Sequence, residues 1–162
     1  MPRIYEIHEE KTMECPLSIP LYHIELVREG SLKRTRPTLR SSAEVAVLFR
    51  AYLGHADREH MMVVMLDNKL KVIGMNTVSV GSLTASIVHP REVFKPAILC
   101  NAQSIVLCHN HPSGDPAPSQ EDKGITKRLV LAGEALGIKV NDHIILGDGT
   151  KDYYSFTDQR EL

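Results

Sequence analysis

The sequence predicts an α/β domain in which strands and helices interleave in two or three layers. Two observations lead to this prediction. Short apolar or alternating runs of strand length are separated by segments with helical periodicity, and turn residues join neighbouring runs into hairpins in both halves of the chain. The length of 162 residues and the hydrophobic content of 43% suit one ordinary domain with a sizeable core.

The N-terminal part divides into an arm and the start of the domain. Residues 1–20 are mixed and polar and predict a flexible N-terminal arm, which leaves residues 21–162 as the domain. Residues 21–27 (LYHIELV) alternate between apolar and polar positions and predict a first strand. In the basic loop that follows we expect solvated charges, with contact to phosphates or an acidic partner as the alternative. Its charged residues include Lys33, Arg34, Arg36 and Arg40.

A helix and a hairpin come next. Residues 41–54 predict the helix, because Ser41 and Glu44 have the spacing of a capping box and Gly54 can adopt the left-handed conformation that ends a helix. Residues 60–75 predict two strands that are joined by a short polar turn.

The middle of the chain predicts a strand and an interrupted helix. Residues 83–89 predict a third strand, and Pro90 suits the first position of a helix. Pro96 would then lie inside that helix, where a proline costs about 3 kcal/mol or forces a kink. We therefore expect a bend or break near Lys95.

The C-terminal part predicts a strand, a long helix and a closing hairpin. Residues 104–111 (SIVLCHNH) form a short run typical of a buried strand, and residues 119–137 have helical periodicity that stops at Gly137. Residues 139–148 and 152–156 predict the two strands of the hairpin.

Composition and charge limit the possible functions. The formal net charge of −1 provides no global electrostatic attraction to nucleic acid or to a membrane surface. The longest unbroken apolar run, residues 61–66, is too short to cross a bilayer, and residues 1–10 lack the apolar region of a secretory signal. Three cysteines without a C-x-x-C pair predict a reduced, cytoplasmic setting.

A pair of histidines marks the end of the strand predicted at residues 104–111. Side chains alternate between the faces of a strand, so His109 and His111 share one face and Cys108 is expected to pack on the other. Two imidazoles at this spacing can reach one metal ion at about 2.0–2.1 Å each. Because an H-x-H pair is common on surfaces and in turns, a metal site needs further ligands.

The third candidate ligand lies at the start of the next helix. Ser119 and Asp122 have the S-x-x-D spacing of a capping box, which by itself explains both residues. Asp122 also begins the apolar stripe of this helix, so it is directed towards the core, where a carboxylate needs a counter-charge or a metal. The rest of the stripe is Ile125, Leu129, Ala132 and Leu136. Two neutral imidazoles and one carboxylate leave a fourth zinc position open, as in catalytic sites.

These residues resemble a known metal motif. His109-x-His111, followed after seven residues by Ser119 and after two more by Asp122, is similar to the JAMM motif of MPN (JAB) metalloprotease domains. The sequence HNHPSGDPAPSQED is similar to the corresponding sequence of the RadC-like branch. The resemblance covers residues 42–156 and implies a cytidine-deaminase-like three-layer fold with helices flanking a mixed β-sheet. It also implies a Zn2+ cofactor and a hydrolase that acts on a peptide or another amide substrate.

The same resemblance implies catalytic roles for Glu59 and Ser119. Glu59 corresponds to the upstream acid of the family, which would take a proton from water and pass it to the leaving amine. Glu44 and Glu92 are rival candidates, but a capping position explains Glu44 and a first helical turn explains Glu92. Ser119 would cap its helix and also donate a hydrogen bond to the oxyanion.

Three other polar residues near the motif are expected to serve the structure. His143 and Asp142 correspond to an Asp-His pair of the family and are expected to be structural or to support the metal region through hydrogen bonds. Asp115 lies in the sequence SGDP and is expected to shape a turn.

The main alternative to a hydrolase is a metal-binding interaction or scaffold module associated with DNA metabolism, without turnover, because many MPN domains serve as interaction platforms. A DNA partner follows only from the family name, since the helix-hairpin-helix segment of longer RadC-like chains is not expected to fit here. A base deaminase needs H-x-E and C-x-x-C sequences, which are missing. In an H-N-H nuclease the three motif residues are distributed along a ββ-metal unit and are not adjacent, so the adjacent letters in this sequence are not evidence for a nuclease.

Overall fold

The computed structural model describes residues 19–33, 36–81 and 88–162, which contain three helices and five strands. In chain order the elements are α1 (Ser42–Leu53), β1 (His60–Leu66), β2 (Val72–Val80), α2 (Pro90–Leu99), β3 (Ser104–His111), α3 (Gln120–Leu136), β4 (Lys139–Gly147) and β5 (Tyr153–Ser155). The predicted α/β class is confirmed. None of the described helices combines the length and the apolar composition that a membrane span needs.

The strands form one mixed sheet in the order β2-β1-β3-β4-β5. β3 and β4 are parallel and are connected through α3, whereas the other neighbouring strands are antiparallel. The carboxyl ends of β3 and β4 therefore meet at the same edge of the sheet, beside the start of α3. In α/β folds this edge is a common place for a functional site.

Apolar side chains on the two faces of the sheet form two separate cores. The face towards α2 and α3 carries Met61, Val63, Ile105 and Leu107. The face towards α1 carries Met62, Val64, Val106 and Cys108. Helices thus flank the sheet on both sides in three layers, and Cys108 packs on the face opposite His109, as its position in the strand predicts.

Capping residues bound α3 at both ends. Ser119 is the N-cap, and Gly137 is the C-cap in a left-handed conformation with φ 70°. The buried face differs from the predicted stripe near its end, because Leu136 is 49% exposed and Gly133 is buried instead. A Cβ atom at position 133 would lie 2.5 Å from the carbonyl oxygen of Ile138. The glycine is needed for this close approach of α3 to the start of β4.

The substitution Gly133→Ala is expected to lower the free energy of unfolding by about 1–3 kcal/mol, because the added methyl group overpacks the contact. Gly124→Ala in the same helix is the matched control, since a Cβ atom there meets nothing within 4 Å. Alanine should stabilise that position by up to about 1 kcal/mol. Urea unfolding measures both variants, and equal midpoints would contradict the close approach at Gly133.

The first predicted strand is wrong. Residues 21–27 are described, form no strand and are exposed. Their alternating pattern supplies strand-like side chains, but a strand also needs a hydrogen-bonded partner, which the pattern alone does not reveal. The division between residues 20 and 21 stays a prediction. Of the basic residues named above in the following loop, Lys33, Arg36 and Arg40 are described and exposed.

Two predictions around α2 have different outcomes. Of the expected bend or break near Lys95, the break is wrong, because α2 runs through Pro96 to Leu99, and the bend stays a prediction. Buried side chains on both sides of the proline offset its cost in the helix. These side chains are Val93, Phe94 and Ala97. The strand predicted at residues 83–89 lies outside the described residues up to residue 87, and the last two residues are not in a strand.

Candidate metal centre

The candidate metal centre forms where the end of β3 meets the first turn of α3. His109 and His111 project from β3, and Asp122 projects from α3. The two Nε2 atoms of the histidines are 3.0 Å apart. Nε2 of His109 lies 3.2 Å from Oδ1 of Asp122, and Nε2 of His111 lies 3.5 Å from Oδ2. The structure thus brings together all three side chains that the sequence suggests as metal ligands.

These separations suit a tetrahedral ion. Ligand atoms about 2.0–2.1 Å from a tetrahedral centre lie about 3.3–3.4 Å from one another. The two Nε2 atoms are 3.0 Å apart, and they lie 3.2 and 3.5 Å from the two different oxygens of the Asp122 carboxylate. One ligand atom from each side chain can be chosen so that all three lie within 4.8 Å of one another. Two imidazole nitrogens and one carboxylate oxygen are ligands that zinc and related divalent ions accept. The group can therefore hold a metal ion.

The centre is buried except on one side. His109 is completely buried and Asp122 nearly so, whereas 15% of the His111 side chain is exposed. A molecule from solvent therefore approaches the centre from the side of His111.

The loop between β3 and α3 orients His111 through backbone groups. Nδ1 of His111 lies 2.8 Å from the carbonyl oxygen of Asp115. A carbonyl only accepts, so this nitrogen carries the ring hydrogen. Gly114, with φ 85°, donates its N–H to the carbonyl of His111 at 3.0 Å. The carboxylate of Asp115 accepts from the N–H of Ala117 at 2.9 Å, so Asp115 shapes a turn as predicted.

Ser119 and Asp122 form the predicted capping box. The N–H of Asp122 donates to the Ser119 hydroxyl at 3.1 Å, and Oδ2 of Asp122 accepts from the N–H of Ser119 at 2.8 Å. The Ser119 hydroxyl also donates to Oδ2 at 2.7 Å. Because its hydrogen is directed at Asp122 here, a hydrogen bond from Ser119 to an oxyanion stays a prediction.

His143 supports the centre from β4, in line with the sequence prediction. Its Nε2 lies 2.8 Å from Nδ1 of His109, and its Nδ1 lies 2.6 Å from Oγ1 of Thr126. The ring stacks on Phe156 with the centroids 5.2 Å apart. Asp142 serves the fold instead, because its carboxylate accepts from the Ser155 hydroxyl at 2.6 Å and joins β4 to β5.

Glu59 immediately precedes β1, the antiparallel neighbour of β3. Its carbonyl oxygen accepts from the N–H of Gly81 at 2.8 Å. The side chain of Asn110 binds the backbone on both sides of Glu59: Oδ1 accepts from the N–H of His60 at 2.8 Å, and Nδ2 donates to the carbonyl of Arg58 at 3.1 Å. These bonds fix the Glu59 backbone beside the tip of β3.

The charges of the centre interact strongly. The hydrogen bond to Asp122 raises the pKa of His111, and the charge of Glu59 acts in the same direction. Burial alone would raise the pKa of Asp122, but the His109 and His111 rings that face its carboxylate lower it well below its usual range. Burial lowers the pKa of His143 well below its ordinary value. The centre thus offers an ionised carboxylate, with Glu59 within electrostatic reach of His111.

Two supporting residues, Asn110 and Thr126, were missed by sequence reasoning. Asn110 is the buried second-last residue of β3, and a buried amide has to find hydrogen-bond partners. Thr126 lies one turn after Asp122 on the buried face of α3, where its hydroxyl donates to the Asp122 carbonyl at 2.6 Å. The polar residue type at a core position was the available signal in both cases.

The affinity of the centre for metal is expected to fall as the pH is lowered. His111 can bind metal only when neutral, and its pKa is raised by the hydrogen bond to Asp122. Protons therefore begin to compete at a pH above the ordinary histidine value of about 6.5, and below the His111 pKa each pH unit should weaken binding by up to about tenfold. Titration against a chromophoric chelator at pH 8 and pH 6 measures this. Equal affinities, corrected for protonation of the chelator, would exclude His111 as a ligand.

Comparison with known proteins gives a consistent family match. A family model described as the RadC-like JAB domain matches residues 39–162. A UPF0758 protein of Rubrobacter xylanophilus is 46% identical over 162 residues, which cover 98% of this chain and 70% of the relative. UPF0758 proteins of Caldanaerobacter subterraneus and Clostridium acetobutylicum are each 54% identical, over 74% and 68% of this chain. The matches cover 54% and 48% of these two relatives, so the chain spans about half of their length.

Proposed function

The chain belongs to the RadC-like JAB domain family, and from this premise we propose that it is a zinc-dependent hydrolase of the JAMM type that cleaves peptide or isopeptide bonds. The observation that carries the proposal is the convergence of His109, His111 and Asp122 at distances suited to one tetrahedral ion. Three protein ligands leave a fourth position for water and substrate, which is typical of catalytic zinc sites.

The surrounding residues have complementary roles in this reaction. His109, His111 and Asp122 would hold the zinc ion, which would act as a Lewis acid towards the amide carbonyl and towards water. Glu59 takes the proton of that water and delivers it to the leaving amine. Ser119 turns its hydroxyl from Asp122 towards the oxyanion that develops on the carbonyl, while its backbone N–H keeps the helix cap. The amide approaches from the exposed side of His111.

Metal analysis followed by a cleavage screen tests the proposal. We expect one zinc ion per chain after dialysis, and cleavage of a peptide library that stops on chelation and returns with added zinc. Protein that retains no zinc would overturn the metal site. Stoichiometric zinc without cleavage of any peptide or small amide would favour the alternative of a metal-binding interaction module associated with DNA metabolism.

A further inference from the structure

A chain of three buried side chains leads from the core to the metal centre. Oγ1 of Thr126 on α3 lies 2.6 Å from Nδ1 of His143 on β4, and Nε2 of His143 lies 2.8 Å from Nδ1 of His109 on β3. Nε2 of His109, the last atom of this hydrogen-bonded series, lies 3.2 Å from Oδ1 of Asp122. The proton position at Thr126 therefore affects the atom of His109 that faces the metal position.

The hydrogen positions follow from the Thr126 end. Thr126 Oγ1 lies 2.6 Å from the carbonyl oxygen of Asp122, which can only accept, so the single hydroxyl hydrogen points there. Towards His143 the hydroxyl oxygen can then only accept, which puts a hydrogen on Nδ1 of His143. The other nitrogen of a neutral His143 accepts, and its donor is Nδ1 of His109. Nε2 of His109 keeps its lone pair towards the metal position.

The surroundings of His143 favour the neutral ring. The ring is completely buried and lies nearly parallel to Phe156, with an interplanar angle of 9°. Its two nitrogens contact Thr126 and His109. An imidazolium here would be a buried cation to which no carboxylate of the described residues is directly hydrogen-bonded, which is unfavourable.

We infer that Thr126 and His143 are positioning residues that keep the hydrogen of His109 on Nδ1, so that Nε2 is free to bind a metal. The inference rests on the proposed zinc site and adds the residues that prepare it. His111 needs no such chain, because its Nδ1 donates directly to the carbonyl of Asp115. The partner of His109 is another histidine. A His143 ring with its hydrogen on Nδ1 accepts from Nδ1 of His109, whereas a ring with its hydrogen on Nε2 would donate to that atom. Thr126 selects the first of these two tautomers.

NMR spectra that correlate ring protons with the histidine nitrogens, recorded on the metal-free protein at pH 8, test the inference directly. In the wild-type protein, His109 and His143 should both carry hydrogen on Nδ1. Thr126→Val removes the acceptor for Nδ1 of His143, so the hydrogens of both histidines should move to Nε2. Thr126→Ser keeps the hydroxyl and should keep the wild-type pattern.

Zinc affinity, measured by chelator competition, is the second readout. Thr126→Val should weaken binding by about 10–100-fold, as is typical when a partner of a ligating histidine is lost, and Thr126→Ser should restore most of it. Thr157→Val is the matched control, because the Thr157 hydroxyl also donates to a backbone carbonyl, that of Asn141 at 2.8 Å. It should leave zinc affinity unchanged.

A wild-type His109 with its hydrogen on Nε2 would overturn the inference. So would unchanged zinc affinity in a Thr126→Val protein that unfolds cooperatively at the temperature of the wild type. If the wild-type protein binds no zinc, the proposed function fails, but the spectra of the metal-free protein still decide the proton positions.

Discussion

Glu59→Gln is expected to lower the rate of amide hydrolysis by about 10²–10⁴-fold while metal content stays at the wild-type level. Glutamine preserves the size and most of the hydrogen-bonding capacity of the side chain but cannot take a proton from water. The Glu59 backbone is bound through Gly81 and, on either side, through Asn110, so the substitution should leave the site geometry intact. Initial rates on a cleaved library peptide and zinc content per chain measure the two effects.

Glu44→Gln and Glu92→Gln are the matched controls for this prediction. The carboxylate of Glu44 accepts from the N–H of Arg40 at 3.0 Å at the start of α1, and the exposed carboxylate of Glu92 pairs with Lys95 at 2.8 Å. Both acids have structural explanations, so both variants should retain wild-type rates. A rate loss in a control variant equal to that of Glu59→Gln would assign the proton transfer to the acid replaced in that control. Wild-type turnover in Glu59→Gln would remove Glu59 from the mechanism.

Elements that depend on local signals were predictable from the sequence. The start and end of α3 follow from Ser119 and Gly137, because a capping side chain and a left-handed glycine act on the backbone next to them. The predicted limits of β3 agree with the structure because an unbroken apolar run ends there in polar residues. The convergence of the three candidate ligands was predictable for the same reason, since strand alternation orients His109 and His111 and the capping box orients Asp122.

Features that depend on distant partners could not be predicted in this way. Residues 21–27 have the pattern of a strand but are exposed without strand pairing. Pro96 remains inside α2 because tertiary packing outweighs a local penalty. Asn110 and Thr126 acquire their roles only when the Glu59 loop and β4 are brought beside them. Sequence spacing therefore predicted which three side chains converge, whereas the groups that orient them required coordinates.

Asp122→Asn is expected to abolish stoichiometric metal binding, with a loss of affinity greater than the roughly 10–100-fold that follows from losing a supporting partner alone. The amide removes the anionic ligand but keeps an oxygen that can accept from the N–H of Ser119, so α3 should remain capped. Added zinc should therefore raise the melting temperature of the wild-type protein and leave that of the variant unchanged, because a ligand stabilises only the state that binds it.

Ser119→Ala separates the two roles of Asp122. It removes the hydroxyl that accepts from the N–H of Asp122 and is expected to lower the free energy of unfolding by about 1 kcal/mol. The carboxylate and both histidines remain, so the zinc-dependent rise in melting temperature should persist. A zinc-dependent rise that is kept in Asp122→Asn would mean that Asp122 serves only to cap the helix. The three-ligand centre would then have to be abandoned, since two imidazoles alone fall short of the three protein ligands typical of catalytic zinc sites.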